Sequence, residues 1–301
     1  MSRRPLIETA QGTRREAFGP QEWALLAAIA AMWGSSFLFI EIGLEHFGPG
    51  VIAFGRVAVG ALTLSLLRGS HRPVDRSDLP RVALLGVVWM AAPLLLFPIG
   101  QQWIDSSLAG MLNGAVPIFA AVTAAILLRR LPASRLVVGI AVGFVGVAFV
   151  SLPSLDDGGS EALGVILVIV ATACYGFSVN IAAPLQQRYG SLNLMANVLI
   201  LATIWTLPYG LWGLGDSHFE LGPIAAVLFL GVVGTGLAFV IMGTLVGRVG
   251  ATRASMITYI IPVVALVLGV VFRDDVVAPL ALVGVVFVIG GAFLASRSTA
   301  R

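Results

Sequence analysis

The sequence predicts an all-α membrane protein, with ten transmembrane helices arranged as two inverted five-helix repeats. Three observations predict it. The 301-residue chain is 58% hydrophobic and only 11% charged, with a mean hydropathy of +0.98. Soluble domains carry about 25% charged residues, so this chain has too little polar surface to cover a soluble core. Its basic residues are all arginines and gather in alternate loops. The second half of the chain also repeats the first at an offset near 145 residues.

A helix needs roughly 20 apolar residues to cross the hydrocarbon. By that rule the segments run over 23–44, 50–67, 80–100, 106–128, 135–151, 162–183, 192–213, 222–246, 252–272 and 276–295. The runs are continuously apolar and do not alternate, which selects helices over a barrel. The expected units are a tail (1–22), a first repeat (23–152), an outer linker (153–161), a second repeat (162–296) and a short tail (297–301). The first tail lacks an early apolar run and a cleavage site, so it reads as a cytoplasmic tail and not as a signal peptide.

Arginine sets the orientation. With both tails inside, the inner loops hold Arg68, Arg72, Arg76, Arg81, Arg129, Arg130, Arg135, Arg188, Arg248 and Arg253. The outer loops carry Glu45, Asp105, Asp156, Asp157, Glu161, Asp216 and Glu220, with Arg273 beside Asp274 and Asp275. The expected location is the bacterial inner membrane. Arginines so dispersed form no groove for nucleic acid. Cys174 is the only cysteine, which excludes an intrachain disulfide.

A shift of 145 brings Leu-Gly-Val-Val at 85–88 onto 230–233, Pro117 onto Pro262, Gly139 onto Gly284 and Gly146 onto Gly291. Nearer the front the shift is 142, and Met-Trp-Gly at 32–34 meets Cys-Tyr-Gly at 174–176. Five segments per half is an odd number, so the halves enter the membrane in opposite senses. Such repeats place substrate sites at their interface near the midplane.

Asn113 with Pro117, and Thr258 with Pro262, recur at matching places. A proline leaves the carbonyl four residues earlier without its donor, and in hydrocarbon that carbonyl must find a partner or line a cavity. Ser106, Gly110, Asn113 and Pro117 share one face, as do Ser255, Thr258, Tyr259 and Pro262. Two readings stand: packed, kinked helices, or cavity walls with flexing points. By the same symmetry the candidate cavity gains Trp33, Ser36 and Phe37 from segment 1 and Trp89 from segment 3. Segment 6 adds Tyr175, Ser178 and Asn180, and segment 8 adds Thr235. Single hydroxyls are weak signals, because they commonly bond their own helix.

Glu41 and Arg56 are the ionisable residues inside segments, and an unpaired charge there costs several kcal/mol. A pair between them, or Glu41 acting as a proton or cation carrier, are both open. No cofactor or metal is expected, since His46, His71 and His218 all fall in loops. The same absence of a buried nucleophile or paired carboxylates argues against an intramembrane enzyme, and no phosphate loop is present. The glycine faces of segments 5 (Gly139, Gly143, Gly146) and 10 (Gly284, Gly290, Gly291) suit close helix packing, within one chain or across a homodimer.

The stretches WGSSFLFIEIGL, GPGVIAFGRVAVGAL and GATRASMITYIIPVVALVLGVVF resemble the EamA branch of the drug/metabolite transporter superfamily. The resemblance covers about residues 23 to 296. It departs at the Gly-Glu pair that usually ends segments 4 and 9, where this chain reads LLRRLP and VFRDDV. It implies that segments 1, 3, 4, 6, 8 and 9 surround a central cavity. It also implies a secondary transporter, expected to export small organic metabolites or amino-acid-like compounds by alternating access. A non-transporting receptor is the alternative from another class. A phosphorylated-metabolite antiporter is a weaker transport alternative, because it calls for several basic cavity residues and Arg56 stands alone.

Overall fold

The computed structural model describes residues 19–70, 72–128, 134–156, 159–249 and 257–297. Among the described residues the regular elements are all helical. In chain order they are α1 (Pro20–Leu44), α2 (Pro49–Ser65), α3 (Leu79–Gly100), α4 (Ser106–Leu127) and α5 (Ser134–Asp156). They continue as α6 (Gly159–Tyr189), α7 (Ser191–Gly213), α8 (Leu221–Leu245), α9 (Ile257–Arg273) and α10 (Pro279–Arg297). Six of these, α1, α3, α4, α6, α7 and α8, are long and apolar enough to cross a membrane. The other four contain shorter apolar helical stretches.

Pro20, Pro49 and Pro80 stand in the first turns of their helices. There the missing N–H has no intrahelical partner to lose, so these prolines start helices and do not break them. The linker expected over 153–161 is mostly helix. Pro153 lies inside α5 without ending it, and Glu161 sits in the first turn of α6, where the helix dipole favours an acid. The expected start of segment 9 at 252, with Ser255 and Arg253, lies outside the described residues, as do Arg129, Arg130 and Asp157.

Four helices depart from regularity, and the first of them, α1, is interrupted at Ser35 between Pro20–Gly34 and Ser36–Leu44. Both α3 and α8 contain a six-residue π-helical turn, Gly86–Ala91 and Val232–Leu237, at the repeated Leu-Gly-Val-Val stretch. α4 is broken into Ser106–Asn113 and Val116–Leu128, turning at Gly114 and Ala115. Pro117 is thus the second residue of a new helical piece, while Pro262 lies within the continuous α9. The two proline sites, expected to be alike, differ. Position 114 is glycine, which disfavours helix by about 1 kcal/mol relative to alanine, whereas its counterpart under the 145 shift is Tyr259.

The most extensively packed helix pairs are α5 with α10 and α2 with α7, and α4 also packs on α9. Beyond these, α1 packs on α8 and α9, and α2 on α8. In parallel, α6 packs on α3 and α4, and α7 on α3. Exchanging each helix with its counterpart in the other half converts the first group (α1, α2, α8, α9) into the second (α6, α7, α3, α4). Each packed group therefore interleaves helices from both halves of the sequence.

Apolar helices in lipid associate by close contact, so small residues mark their crossings. A Cβ on Gly146 of α5 would lie 2.5 Å from the Val288 nitrogen, and one on Gly291 of α10 would lie 2.4 Å from the Gly143 nitrogen. The glycine faces of α5 and α10 therefore meet within one chain, with Gly290 left in open space. Polar contacts repeat too. His46, after α1, meets Glu220, before α8, at 3.3 Å. Arg188, ending α6, meets Asp78, before α3. A shift of 142 carries His46 onto Arg188 and Asp78 onto Glu220.

Replacing Gly146 by alanine is expected to force α5 and α10 apart and destabilise the fold by about 1–3 kcal/mol. Gly290→Ala should leave stability unchanged or slightly higher, and thermal unfolding of the two purified variants checks the contrast.

Candidate functional site

Arg56 on α2 is only 7% exposed. Its Nε donates to Thr235 Oγ1 at 2.8 Å, and its Nη2 reaches Ser36 Oγ at 3.4 Å and the Gly234 carbonyl at 3.5 Å. Those partners come from the π turn of α8 and from α1. The turn explains the carbonyl: the Ala238 N–H reaches back to Val233 O and Thr235 O, and does not take Gly234 O. Trp33 Nε1 donates to that same oxygen at 3.1 Å. A carbonyl released by the π turn is thus satisfied by a guanidinium and an indole, as a polar backbone group in an apolar medium requires. Among the described residues no carboxylate pairs with Arg56.

Aromatic rings surround this cluster. Trp33 and Trp89 both set their edges against Phe239, with centroids 5.4 and 5.5 Å away. Phe37 meets Phe97 edge-on at 5.5 Å, and Phe97 stacks on Tyr175 at 5.8 Å. Such pairs contribute about 0.5–1.5 kcal/mol beyond their buried area and hold ring orientations. Phe97 and Phe239 were missed in the sequence, where nothing separates them from other apolar residues.

The broken α4 crosses α9 beside this region. A Cβ on Gly114 would lie 2.6 Å from Pro262 Cγ, and one on Gly110 would lie 2.1 Å from the Ala265 Cβ. The two proline sites therefore touch. Asn113, at the break, is 8% exposed, and its Oδ1 finds no donor among the described residues. An orphaned buried acceptor costs about 1–3 kcal/mol.

The end of the bundle that carries Glu41 differs from expectation. Glu41 and Arg56 do not pair. Glu41 Oε1 accepts from Arg273 Nε at 2.8 Å, and Glu45 Oε1 from Arg273 Nη1 at 2.6 Å. α9 continues through Arg273 and carries that side chain to α1, while Arg56 faces α8. Asp275 is buried, and its Oδ2 accepts the Ser107 N–H at 3.0 Å and the Ser106 hydroxyl at 3.3 Å, capping α4 from the end of α9. Gln101 Nε2 donates to Phe37 O at 2.9 Å, tying α3 to α1. Glu41, Leu44, Glu45, Gln101, Gln102 and Arg273 line a cleft of about 340 Å³. Arg273, Asp275 and Gln101 were not among the sequence candidates; a helical register carried one residue past Phe272 brings Arg273 within reach of α1.

Several candidates have structural partners instead. Ser178 Oγ bonds its own helix at Cys174 O, 2.7 Å away. Asn180 Nδ2 donates to Ala120 O at 3.1 Å and to Gly176 O at 3.0 Å, tying α6 to the lower piece of α4. The Tyr259 hydroxyl donates to Ala292 O at 3.0 Å, toward α10. Thr258 lies in the first turn of α9 as described. The structure thus gathers Trp33, Ser36, Arg56 and Thr235 directly, with Phe37, Trp89 and Tyr175 joined through Phe97 and Phe239.

The pattern of the EamA-like transporter family matches residues 21–152 and again residues 162–297. A "Probable terminal-alkyne amino-acid exporter" of Streptantibioticus cattleyicolor is 30% identical over 284 residues, covering 92% of this chain and 93% of the relative. A "Probable amino-acid metabolite efflux pump" of Salmonella typhimurium is 24% identical, covering 90% and 93%. An "Uncharacterized transporter" of Archaeoglobus fulgidus is 28% identical, covering 83% and 89%. A crystal structure at 14% identity aligns with a TM-score of 0.63 over 93% of this chain and 99% of the other, which speaks to the fold alone.

Thr235→Val keeps the side-chain shape but strands the buried Arg56 Nε–H, and is expected to destabilise by about 1–3 kcal/mol. Ser178→Ala removes only a bond within its own helix and should cost below about 1 kcal/mol. Thermal unfolding of both variants in the same detergent checks the order.

Proposed function

This chain belongs to the EamA-like transporter family, and on that premise we propose that it is a secondary transporter exporting small amino-acid-like compounds by alternating access. The observation that carries the reading is a desolvated Arg56 without a carboxylate partner among the described residues, set at the meeting of α1, α2 and α8. A guanidinium kept this way offers remaining donors to a substrate carboxylate, since it has five N–H groups and no acceptor. The surrounding Trp33, Trp89 and Tyr175 supply apolar surface for a side chain.

The ten helices act as two inverted five-helix units, residues 23–152 and 162–296, with both tails cytoplasmic in a bacterial inner membrane. Three features support this. The family pattern matches twice. The helix contacts keep their pattern when the halves are exchanged. The π turns and the His46–Glu220 and Arg188–Asp78 contacts also recur at equivalent places. Alternating access then consists of rocking the group α1, α2, α8, α9 against the group α6, α7, α3, α4. The names of two relatives, an amino-acid exporter and an amino-acid metabolite efflux pump, agree with the substrate class. The chemistry is transfer without bond making, so no catalytic residue is assigned.

Counterflow of labelled zwitterionic amino acids in proteoliposomes tests this. Saturable exchange is expected, and Arg56→Gln should raise the half-saturation concentration by about tenfold or more for substrates with a carboxylate, which corresponds to 1.4 kcal/mol. Amines lacking the carboxylate should be unaffected. No counterflow across a broad panel, or an equal effect on both substrate types, contradicts the proposal.

A further inference from the structure

We propose that the loop between α2 and α3 is a docking site for anionic phospholipid headgroups, met by Arg68, Arg72 and Arg76. These three residues are exposed, and none of their guanidinium groups has a hydrogen bond or ion pair among the described residues. The acids of the same segment are already partnered. Asp78 is buried, and its Oδ2 accepts from the Tyr189 hydroxyl at 2.7 Å and from Arg188, while Arg81 Nη1 lies 3.4 Å from its Oδ1. Asp75 Oδ2 meets Arg188 Nη2 at 3.0 Å. Both carboxylates are thus engaged, and the charge left without a partner is positive.

The loop is held in one shape. Gly69, directly after Arg68, turns the chain with a φ of 101°, a conformation that suits glycine. The buried Ser70 donates from Oγ to Leu67 O at 2.8 Å. The Arg72 N–H donates to Asn193 Oδ1 at 3.0 Å, and the Asp75 N–H to the Tyr189 hydroxyl at 3.3 Å. These anchors fix the loop backbone on the end of α6 and the start of α7. A ligand of the three arginines therefore has to order their side chains only, which lowers the entropic cost of binding.

Charge and apolar surface together select the occupant. Arg68, Arg72, Arg76, Arg81 and Arg188 stand against Asp75 and Asp78 alone, which leaves three positive charges in excess. Leu62 and Leu66 on one side of the loop, and Leu79 and Leu84 on the other, are exposed. Nucleic acid or an acidic protein would meet the arginines and leave these leucines in water. A phospholipid covers the leucines with its chains and brings its phosphate to the guanidiniums, which bind phosphate oxygens in pairs. A basic cluster directly beside a spanning helix is drawn to anionic lipid in this way. At Glu41, by contrast, Arg273 is taken up by two carboxylates. The site lies outside the Arg56 cluster and does not depend on the transport reading.

The test is native mass spectrometry of the full chain in detergent, titrated with palmitoyl-oleoyl phosphatidylglycerol or with phosphatidylcholine of the same chains. Saturable binding is expected to favour phosphatidylglycerol by about tenfold or more, and the preference should shrink as ionic strength rises. The triple variant Arg68→Gln, Arg72→Gln, Arg76→Gln should lose most of that preference. Arg68→Lys, Arg72→Lys, Arg76→Lys should keep most of it, and Arg273→Gln should leave it unchanged. The salt dependence is read on the native chain, so it decides the question even where a variant does not fold. The proposal is overturned by equal affinity for the two lipids, by a preference insensitive to salt, by a preference that persists in the folded glutamine variant, or by inorganic phosphate displacing phosphatidylglycerol at equal concentration, which would mark a site for free phosphate.

Discussion

In hydrocarbon a backbone carbonyl without a donor costs several kcal/mol, and the architecture of this chain follows from where such carbonyls are tolerated. The π turn in α8 is the plainest case. It releases Gly234 O, and the same oxygen collects Trp33 from α1 and Arg56 from α2. One irregular turn thereby joins three helices and fixes a cation in the interior. Without the turn, Arg56 would lose an acceptor and Trp33 would have no reason to point inward. The matching turn in α3 carries Trp89, which faces the same Phe239 as Trp33. Local departure from helix and the assembly of the polar core are therefore one event.

Interleaving follows from the same economy of contact. If each half of the sequence packed on itself, the glycines would face glycines of their own half. Instead Gly146 and Gly143 seat against α10, Gly50 against the Tyr209 backbone of α7, and Gly114 against Pro262 of α9. Each of these contacts pairs a helix with its counterpart in the other half of the sequence. The polar contacts His46–Glu220, Arg188–Asp78 and Arg273–Glu41 instead join helices within one packed group. Small residues also mark crossings within the groups, as where Gly34 of α1 meets Val264 of α9 and Gly100 of α3 meets Gly164 of α6.

The helices were legible in the sequence because hydrocarbon demands long apolar runs. The repeat was legible from Pro117 with Pro262 and from the two Leu-Gly-Val-Val stretches. The break at Gly114 was not, because a proline six residues into α9 and a proline after a glycine turn read alike as text. Trp33, Ser36 and Thr235 were singled out by symmetry as candidate cavity residues and Arg56 as a charge within a segment, and the structure brings the four together. Of the two readings left open for Glu41 and Arg56, the pair is not formed, because proximity in sequence order said nothing of helix rotation. Arg56 turns toward α8, and Glu41 is met by Arg273, whose helix runs further than its flanking acids suggested. Apolar members such as Phe239 and Phe97 carry no signal that distinguishes them from lipid-facing residues.

The central claim is that two interleaved groups of helices rock about the crossings of α4 with α9 and α2 with α7, opening one end as the other closes. Pulsed electron paramagnetic resonance measures it most directly, in a Cys174→Ser background in nanodiscs. One pair of spin labels spans the groups at the outer ends, on positions 102 and 274, and a second at the inner ends, on positions 187 and 244. The account predicts two distances for each pair, with the long outer distance accompanying the short inner one and the balance shifting on addition of a transported amino acid. A single distance at both ends, unmoved by substrate, would contradict it.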